Sequence, residues 1–315
     1  MNNGIKLIRE TKYFNLFEVG RKVYAAIENK SRAAGSNAGF VDMGSYTVVF
    51  DSLLNMEAAA DLKQVAEELT GKPISLVVNS HYHMDHILGN GIYDSSTRIL
   101  STEIIKEKIA AEGKKSFDEI KGLGLGVLQE IEEGIKNAAN EHEAEQLKND
   151  HKYVSSILKE SAVLRVPDMI LQEGMALYGD KGSARLISFT MAHSPEDMIL
   201  YLPEQKLCFT GDLLFNKMHP WIGTGLPKNY IKALEYLLEL EAETYIPGHG
   251  DLSTKEDIKL QVQYINELLA LADKARQDGN MERRFTLDDI SEVFRSWDSL
   301  CFSWNMDFLM KRYNE

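Results

Sequence analysis

The 315-residue chain has only two cysteines, Cys208 and Cys301, far apart and in no C-x-x-C pair. A disulfide framework is not indicated. Cys208 lies in the strand-like run "KLCFT" and reads as a small buried residue. Long apolar runs are missing as well. None approaches the ~20 residues a bilayer-spanning helix needs, so no membrane association is expected. The opening "MNNGIKLIRETKYFNLFEVG" lacks the apolar centre of a secretory signal, and the expected location is cytoplasmic. Positive charge is in deficit: 35 Lys and Arg stand against 48 Asp and Glu, for a net charge of −13 and a pI near 5.2. Such a surface repels phosphate backbones, and no aromatic–basic interleaving offers a stacking platform. Nucleic acid is therefore not an expected partner. Internal repeats, low-complexity linkers and a composition break are absent too. With 44% hydrophobic and 26% charged residues, the chain reads as one soluble domain over 1–315.

Histidine is also scarce, at eight residues, yet three of them fall within "NSHYHMDHILGN" (79–90). His81, His83, Asp85 and His86 form H-x-H-x-D-H. Chance would give this pattern on the order of once in several thousand such chains. The run before it, "PISLVVN", is β-branched and apolar and predicts a buried strand. The polar residues thus begin where a strand ends, which is where α/β enzymes place their sites. Nothing structural requires three imidazoles and a carboxylate at this spacing. Zinc and other transition ions prefer those donors.

Three further residues share this logic. His193 follows "ARLISFTMA", Asp212 follows "KLCFTG" and His249 follows "ETYIPG". If these strand ends converge, five histidines and two aspartates meet. A catalytic ion needs three protein ligands plus water. Seven ligands suit two ions with a carboxylate between them, an arrangement that polarises a substrate oxygen and acidifies water.

The rest of the chain supplies a scaffold. "NLFEV", "KVYAAIE", "YTVVFDS" and "TRILS" predict strands, and "NMEAAADLKQVAEELT" predicts a helix ended by Gly71 and Pro73. From about 103 to 160 the sequence is rich in Glu, Lys, Ala, Leu and Ile and has no proline. It predicts two or three amphipathic helices broken near "GLGLG". Their apolar residues, among them Ile104, Ile105, Ile109, Leu123 and Leu125, demand burial. "DMILQ", "MALYG", "ARLISFTM", "MILYLP" and "KLCFTG" predict a β-meander, followed by helices over 228–240, 254–277 and 286–313.

Taken together, these motifs resemble the metallo-β-lactamase-fold superfamily of metallohydrolases. The resemblance rests on "GSNAGFVDMGSYTVVFDS", "SHYHMDHILGN", "AHSPEDMILYLPEQKLCFTGDLLF", "IPGHG" and "NMDFLMKRYNE". It implies an α+β fold, a four-layer αββα sandwich with metals at one edge of the two sheets. It also implies that His81, His83 and His193 hold one ion, that Asp85, His86 and His249 hold a second, and that Asp212 bridges. A bridging hydroxide would attack the substrate, with Asp85 taking part in proton transfer. Two divalent ions are expected, zinc first, with iron or manganese compatible with the same donors.

The family's frequent Gly-His-Thr is replaced by Ala192, His193 and Ser194, with Glu196 where glycine is common. A glyoxalase II is accordingly less expected. Asp212 argues against a true zinc β-lactamase. The expected activity is hydrolysis of a small ester, thioester, lactone or related small-molecule substrate. A mononuclear iron sulfur dioxygenase-like enzyme and a phosphodiesterase of the same superfamily are the alternatives. His219 and Trp221, in "NKMHPWIGTG", are candidate pocket residues. The 103–160 insertion is a candidate lid, homodimer contact or decoration, and helices over about 254–315 close the domain.

Overall fold

The computed structural model describes residues 4–312, except 173 and 181. Residues 313–315, the end of the C-terminal motif, lie outside the described residues. The first sheet holds, in spatial order, β1 (Lys6–Glu10), β2 (Phe14–Gly20), β3 (Val23–Glu28), β4 (Ala38–Asp42), β5 (Thr47–Phe50), β6 (Ile74–Val78), β7 (Arg98–Thr102) and β8 (Met169–Leu171). The pairings from β1 to β5 are antiparallel and those from β5 to β8 parallel. Parallel neighbours need crossover connections. α1 (Met56–Thr70) crosses from β5 to β6, and α2 (Met84–Ile87) lies in the link to β7. The third crossover is the insertion: α3 (Glu103–Lys108), α4 (Lys114–Leu123), α5 (Gly126–Asn137) and α6 (Glu141–Leu158).

The second sheet has the order β13-β12-β11-β10-β9. β9 (Met175–Gly179), β10 (Gly182–Thr190), β11 (Glu196–Leu202) and β12 (Leu207–Phe215) run as an antiparallel meander. After α7 (Pro227–Glu239), β13 (Thr244–His249) joins β12 in parallel. α8 (Lys255–Gln277), α9 (Glu292–Arg295) and α10 (Phe302–Arg312) follow.

Side-chain alternation builds the layers. In β5, Val48 and Phe50 face the second sheet while Val49 faces α1. In β6, Leu76 and Val78 face the second sheet while Val77 faces α1. Both faces are covered, which is why "ISLVV" is apolar throughout. Between the sheets, Val48, Phe50, Val78 and Leu100 meet Leu186, Met198, Leu200 and Phe209. Leu62, Val65 and Ala66 of α1 cover the first sheet, and Leu234, Leu237, Ile265 and Leu268 cover the second. The result is the expected four-layer αββα sandwich. α1 also follows its sequence signals. The Asn55 carboxamide oxygen accepts from the Ala58 amide at 2.8 Å, and Gly71 ends the helix at φ 71°.

Three expectations are corrected. "DMILQ" is not part of the meander, because β8 pairs in parallel with β7 and extends the first sheet. The region 286–313 is not one helix. The Asp298 carbonyl accepts from the His219 amide and its own amide donates to the Lys217 carbonyl, so this stretch is committed to pairing across the chain rather than to a helical ladder. The insertion is three helical runs, the first of them α3 and α4 joined by a π-helical segment at Ile109–Gly113, but its apolar residues are only partly covered. Ile105, Ile109, Phe117 and Ile157 are buried against Met84, Ile87 and Leu88. Leu123 and Leu125 are exposed around the break at Gly124, where φ is 69°. The insertion therefore braces the loop carrying H-x-H-x-D-H from behind.

Candidate metal centre

Strand ends of both sheets meet at one edge. The loop after β6 and helix α2 bring His81, His83, Asp85 and His86. The β10–β11 turn brings His193, β12 brings Asp212 and β13 ends on His249. All seven sequence candidates come together, in two groups. His81, His83, His193 and Asp212 place donor atoms within 4.8 Å of one another, and so do Asp85, His86 and His249.

The carboxylate of Asp212 stands between the groups. Its Oδ2 lies 3.6 Å from His81 Nε2 and 3.4 Å from His193 Nε2. Its Oδ1 lies 3.0 Å from His86 Nε2 and 3.3 Å from His249 Nε2. Asp85 Oδ2 is 3.3 Å from His249 Nε2, and His83 Nδ1 is 3.1 Å from His193 Nε2. His81 Nε2, His86 Nε2 and Asp212 Oδ1 are buried and make no well-directed hydrogen bond. Orphaned buried donors and acceptors aimed at a shared centre are costly unless something coordinates them. The residues fit divalent cations.

The outer ring atoms are fixed by neighbours that the sequence motif did not mark. Asp51 is the main one. Its Oδ2 lies 2.8 Å from His86 Nδ1, its Oδ1 accepts the Ser80 amide at 2.7 Å, and the Ser80 hydroxyl donates to its Oδ2. His86 Nδ1–H therefore points to Asp51, which leaves Nε2 free to face Asp212. Asp51 sits at φ 60°, which only this tight turn at the end of β5 requires. The signal for it in sequence was an aspartate closing "TVVFD". His193 Nδ1 donates to the Trp221 carbonyl at 2.9 Å. Asn37 donates to the carbonyls of Pro247 and Gly250 and holds the loop that carries His249. Gly248 has to be glycine, since a Cβ there would lie 1.9 Å from Asp212 Oδ1.

Burial and charge split the histidines. Burial pushes His81 well down, His83 down and His193 down to about 3, so all three are neutral bases at neutral pH. Burial acts the same way on His86 and His249, but Asp212 and Asp85 outweigh it. His86 is held well above its ordinary value and His249 is raised to about 9. Asp85 is partly buried, which alone would raise its carboxyl, but the neighbouring His86 and His249 hold it at about 2.

A cavity of about 400 Å³ opens on this edge, and Asp85, Trp221, Trp304, Met218, Leu300 and residues of α6 line it. Trp221 is part of the wall. His219 also borders the cavity, but both ring nitrogens are occupied. Nε2–H donates to the Phe294 carbonyl at 2.9 Å, and Nδ1 accepts from the Tyr264 hydroxyl at 2.8 Å. It is a packing histidine that pins the α8–α9 region to the wall. Glu196, the departure from glycine, accepts a hydrogen bond from the Thr102 hydroxyl at the start of α3 and so ties the His193 turn to the insertion.

The model of the metallo-beta-lactamase superfamily matches residues 32–249, and the chain belongs to that superfamily. Its members are mostly metal-dependent hydrolases. Among solved structures, the chain is similar to the stereoselective inverting sec-alkylsulfatase Pisa1 from a Pseudomonas species. The TM-score is 0.65 at 20% identity over 95% of this chain and 50% of that one. The chain thus spans about half the length of that relative. It is also similar to a metallo-beta-lactamase from Erythrobacter litoralis, with a TM-score of 0.59 at 14% identity over 83% of this chain and 100% of that one. A third similar structure is a metallo-beta-lactamase from Pontibacter korlensis, with a TM-score of 0.54 at 12% identity over 83% and 99% of the two chains. Among the described residues, no helix is long and apolar enough to cross a membrane.

Proposed function

We propose that the protein is a hydrolase of small esters, thioesters, lactones or related substrates that works with two divalent cations, zinc first. The observation that carries this reading is the division of Asp212: one carboxylate oxygen faces each group of donors. In this reading His81, His83, His193 and Asp212 would hold one cation, and Asp85, His86 and His249, with Asp212 shared, would hold the other. Bound there, the cations would acidify water and polarise the scissile group. The chain's own residues do the rest. Asp51 and the Trp221 carbonyl fix the rings, so that no reorganisation is needed during reaction. Asp85, with a quarter of its side chain exposed toward the cavity, is ionised and able to take up a proton and return it to the leaving group. Trp221, Trp304 and Met218 give the cavity apolar walls that exclude water from the bond being broken.

A second reading is hydrolysis of a sulfate ester. It is supported by the superposition of 95% of this chain on an alkylsulfatase. The test strips the protein with a chelator and reloads it with zinc, manganese or iron. Each form is then offered 4-nitrophenyl esters, an acyl thioester, a lactone, a phosphodiester and an alkyl sulfate. Metal-dependent turnover of a carbonyl substrate, with two metals per chain by elemental analysis, is the expected result. Selective turnover of the alkyl sulfate would establish the second reading. A single tightly held iron with oxygen-consuming turnover of a persulfide would overturn both.

A further inference from the structure

The insertion does more than brace the metal loop. Asn149, Lys152 and Tyr153 of α6 line the cavity. They are spaced i, i+3 and i+4, which puts them on one face of the helix. We propose that this face is the anion-recognition wall of the cavity, with Lys152 receiving an oxyanion at the end of the substrate remote from the scissile bond. The inference deepens the hydrolase reading and rests on it for the position of that bond.

Lys152 is half-buried, and among the described residues its ammonium has no ion pair or hydrogen bond. Several other lysines of the insertion are engaged, Lys148 with Glu145 at 2.6 Å, Lys114 with Asp118 at 2.6 Å, and Lys121 with the Lys159 carbonyl at 2.6 Å, while Lys106 and Lys136, which share its lack of a partner among the described residues, do not line the cavity. The other cation of the cavity wall, Arg32, is held by Asp298 at 2.5 Å. The wall's carboxylates are committed too. Glu28 accepts the Gly35 amide at 2.6 Å, Asp298 holds Arg32, and Asp85 and Asp212 face the histidines. Drawing a cation partly out of water without a partner is unfavourable, so a half-buried uncommitted lysine on a cavity wall favours whatever oxyanion enters. Asn149, one turn earlier, adds a neutral amide donor beside it. Trp221 and Trp304, which also line the cavity, pack edge to face at 6.2 Å between centroids and offer aromatic surface. The substrate this describes has an apolar body, the hydrolysable bond at one end and a carboxylate or similar oxyanion at the other.

The test uses the zinc-loaded full chain and two matched substrates, 4-nitrophenyl hydrogen adipate and 4-nitrophenyl hexanoate. A charge-assisted hydrogen bond is worth about tenfold to a hundredfold, and partial exposure favours the lower figure. Lys152→Met is expected to lower the adipate-to-hexanoate ratio of kcat/KM about tenfold, mainly through KM. Lys152→Arg should restore most of that ratio. Lys148→Met, on the same helix but paired with Glu145, should leave it unmoved. A readout independent of turnover is calorimetric titration with 4-phenylbutyrate and 4-phenylbutyramide. The acid should bind Lys152→Met about tenfold more weakly than wild type, with no such difference for the amide. Equal binding of 4-phenylbutyrate to wild type and Lys152→Met, at equal zinc content, would overturn the proposal. If wild type turns over neither ester, the hydrolase reading loses its support while the 4-phenylbutyrate titration still decides the role of Lys152.

Discussion

Replacing Asp212 by alanine removes the one group that faces both sets of donors. Its carboxylate is almost fully buried and lies within 3.0–3.6 Å of four histidine Nε2 atoms. Two consequences can be worked out. First, each cation loses an oxygen donor. Loss of a supporting partner alone costs 10–100-fold in metal affinity, so loss of a shared ligand is expected to cost at least about a hundredfold at one of the two sites. Second, His249 in the metal-free protein loses the largest of the groups that raise its pKa to about 9. Asp85 remains 3.3 Å away and still raises it, but burial then weighs more, and the pKa should fall. The backbone is held independently, because the Tyr230 hydroxyl donates to the Asp212 carbonyl at 2.5 Å, a contact alanine keeps. The fold should therefore survive. The assays are elemental analysis after dialysis against buffered zinc, NMR titration of His249 in the metal-free form, and kcat/KM on the best substrate. The expected result is one metal per chain, a lowered His249 pKa and at least a hundredfold loss of activity, with an unchanged far-ultraviolet dichroism spectrum. Two tightly held metals together with full activity would refute the reasoning and reduce Asp212 to a turn residue.

Asp51→Asn keeps the side-chain shape and tolerates the positive φ, but it removes the charge that fixes His86. Competition with a chromophoric chelator should show about 10–100-fold weaker binding of one of two zinc ions and an unchanged second ion. Gly248→Ala puts a methyl group where Asp212 Oδ1 lies, 1.9 Å from the ideal Cβ. Loss of bound zinc and a lower Tm are expected, and retention of both would show that the strand end yields freely. In the metal-free protein, the raised His86 and His249 contribute stability that is complete below about pH 6.5 and is lost as pH rises, for His249 through about 9. The depressed His81, His83 and His193 act oppositely: below about pH 6.5 the unfolded chain takes up protons that the folded one refuses, so acid destabilises. The site's contribution to metal-free stability should thus peak near pH 6.5. Zinc binding at pH 7 should release protons, measurable by calorimetry in buffers of different ionisation enthalpy. No proton release would contradict the charge assignment.

The sequence by itself marked most of the strands and the seven His and Asp candidates through local signals, and the four-layer sandwich through its resemblance to a family. A strand buried on both faces has to be apolar throughout, as "ISLVV" is. A side chain at the end of such a strand is carried to the sheet edge whatever the rest of the chain does. Three histidines and an aspartate at H-x-H-x-D-H therefore announced both a position and a chemistry. Tertiary structure decided what depends on partners distant in the chain. Asp51 looks like any aspartate closing a strand until folding sets it 2.8 Å from His86, and His219 borders the cavity but folding commits both of its ring nitrogens to Tyr264 and Phe294. "DMILQ" has the same β texture as the meander that follows it. Its place beside β7 comes from backbone pairing, which carries no residue code. The insertion's stripe announced burial but not its target. Only packing set Ile105, Ile109 and Ile157 behind the metal loop and turned Lys152 toward the cavity. Periodicity records that a face must be covered, whereas the identity of the covering surface is a property of the whole folded chain.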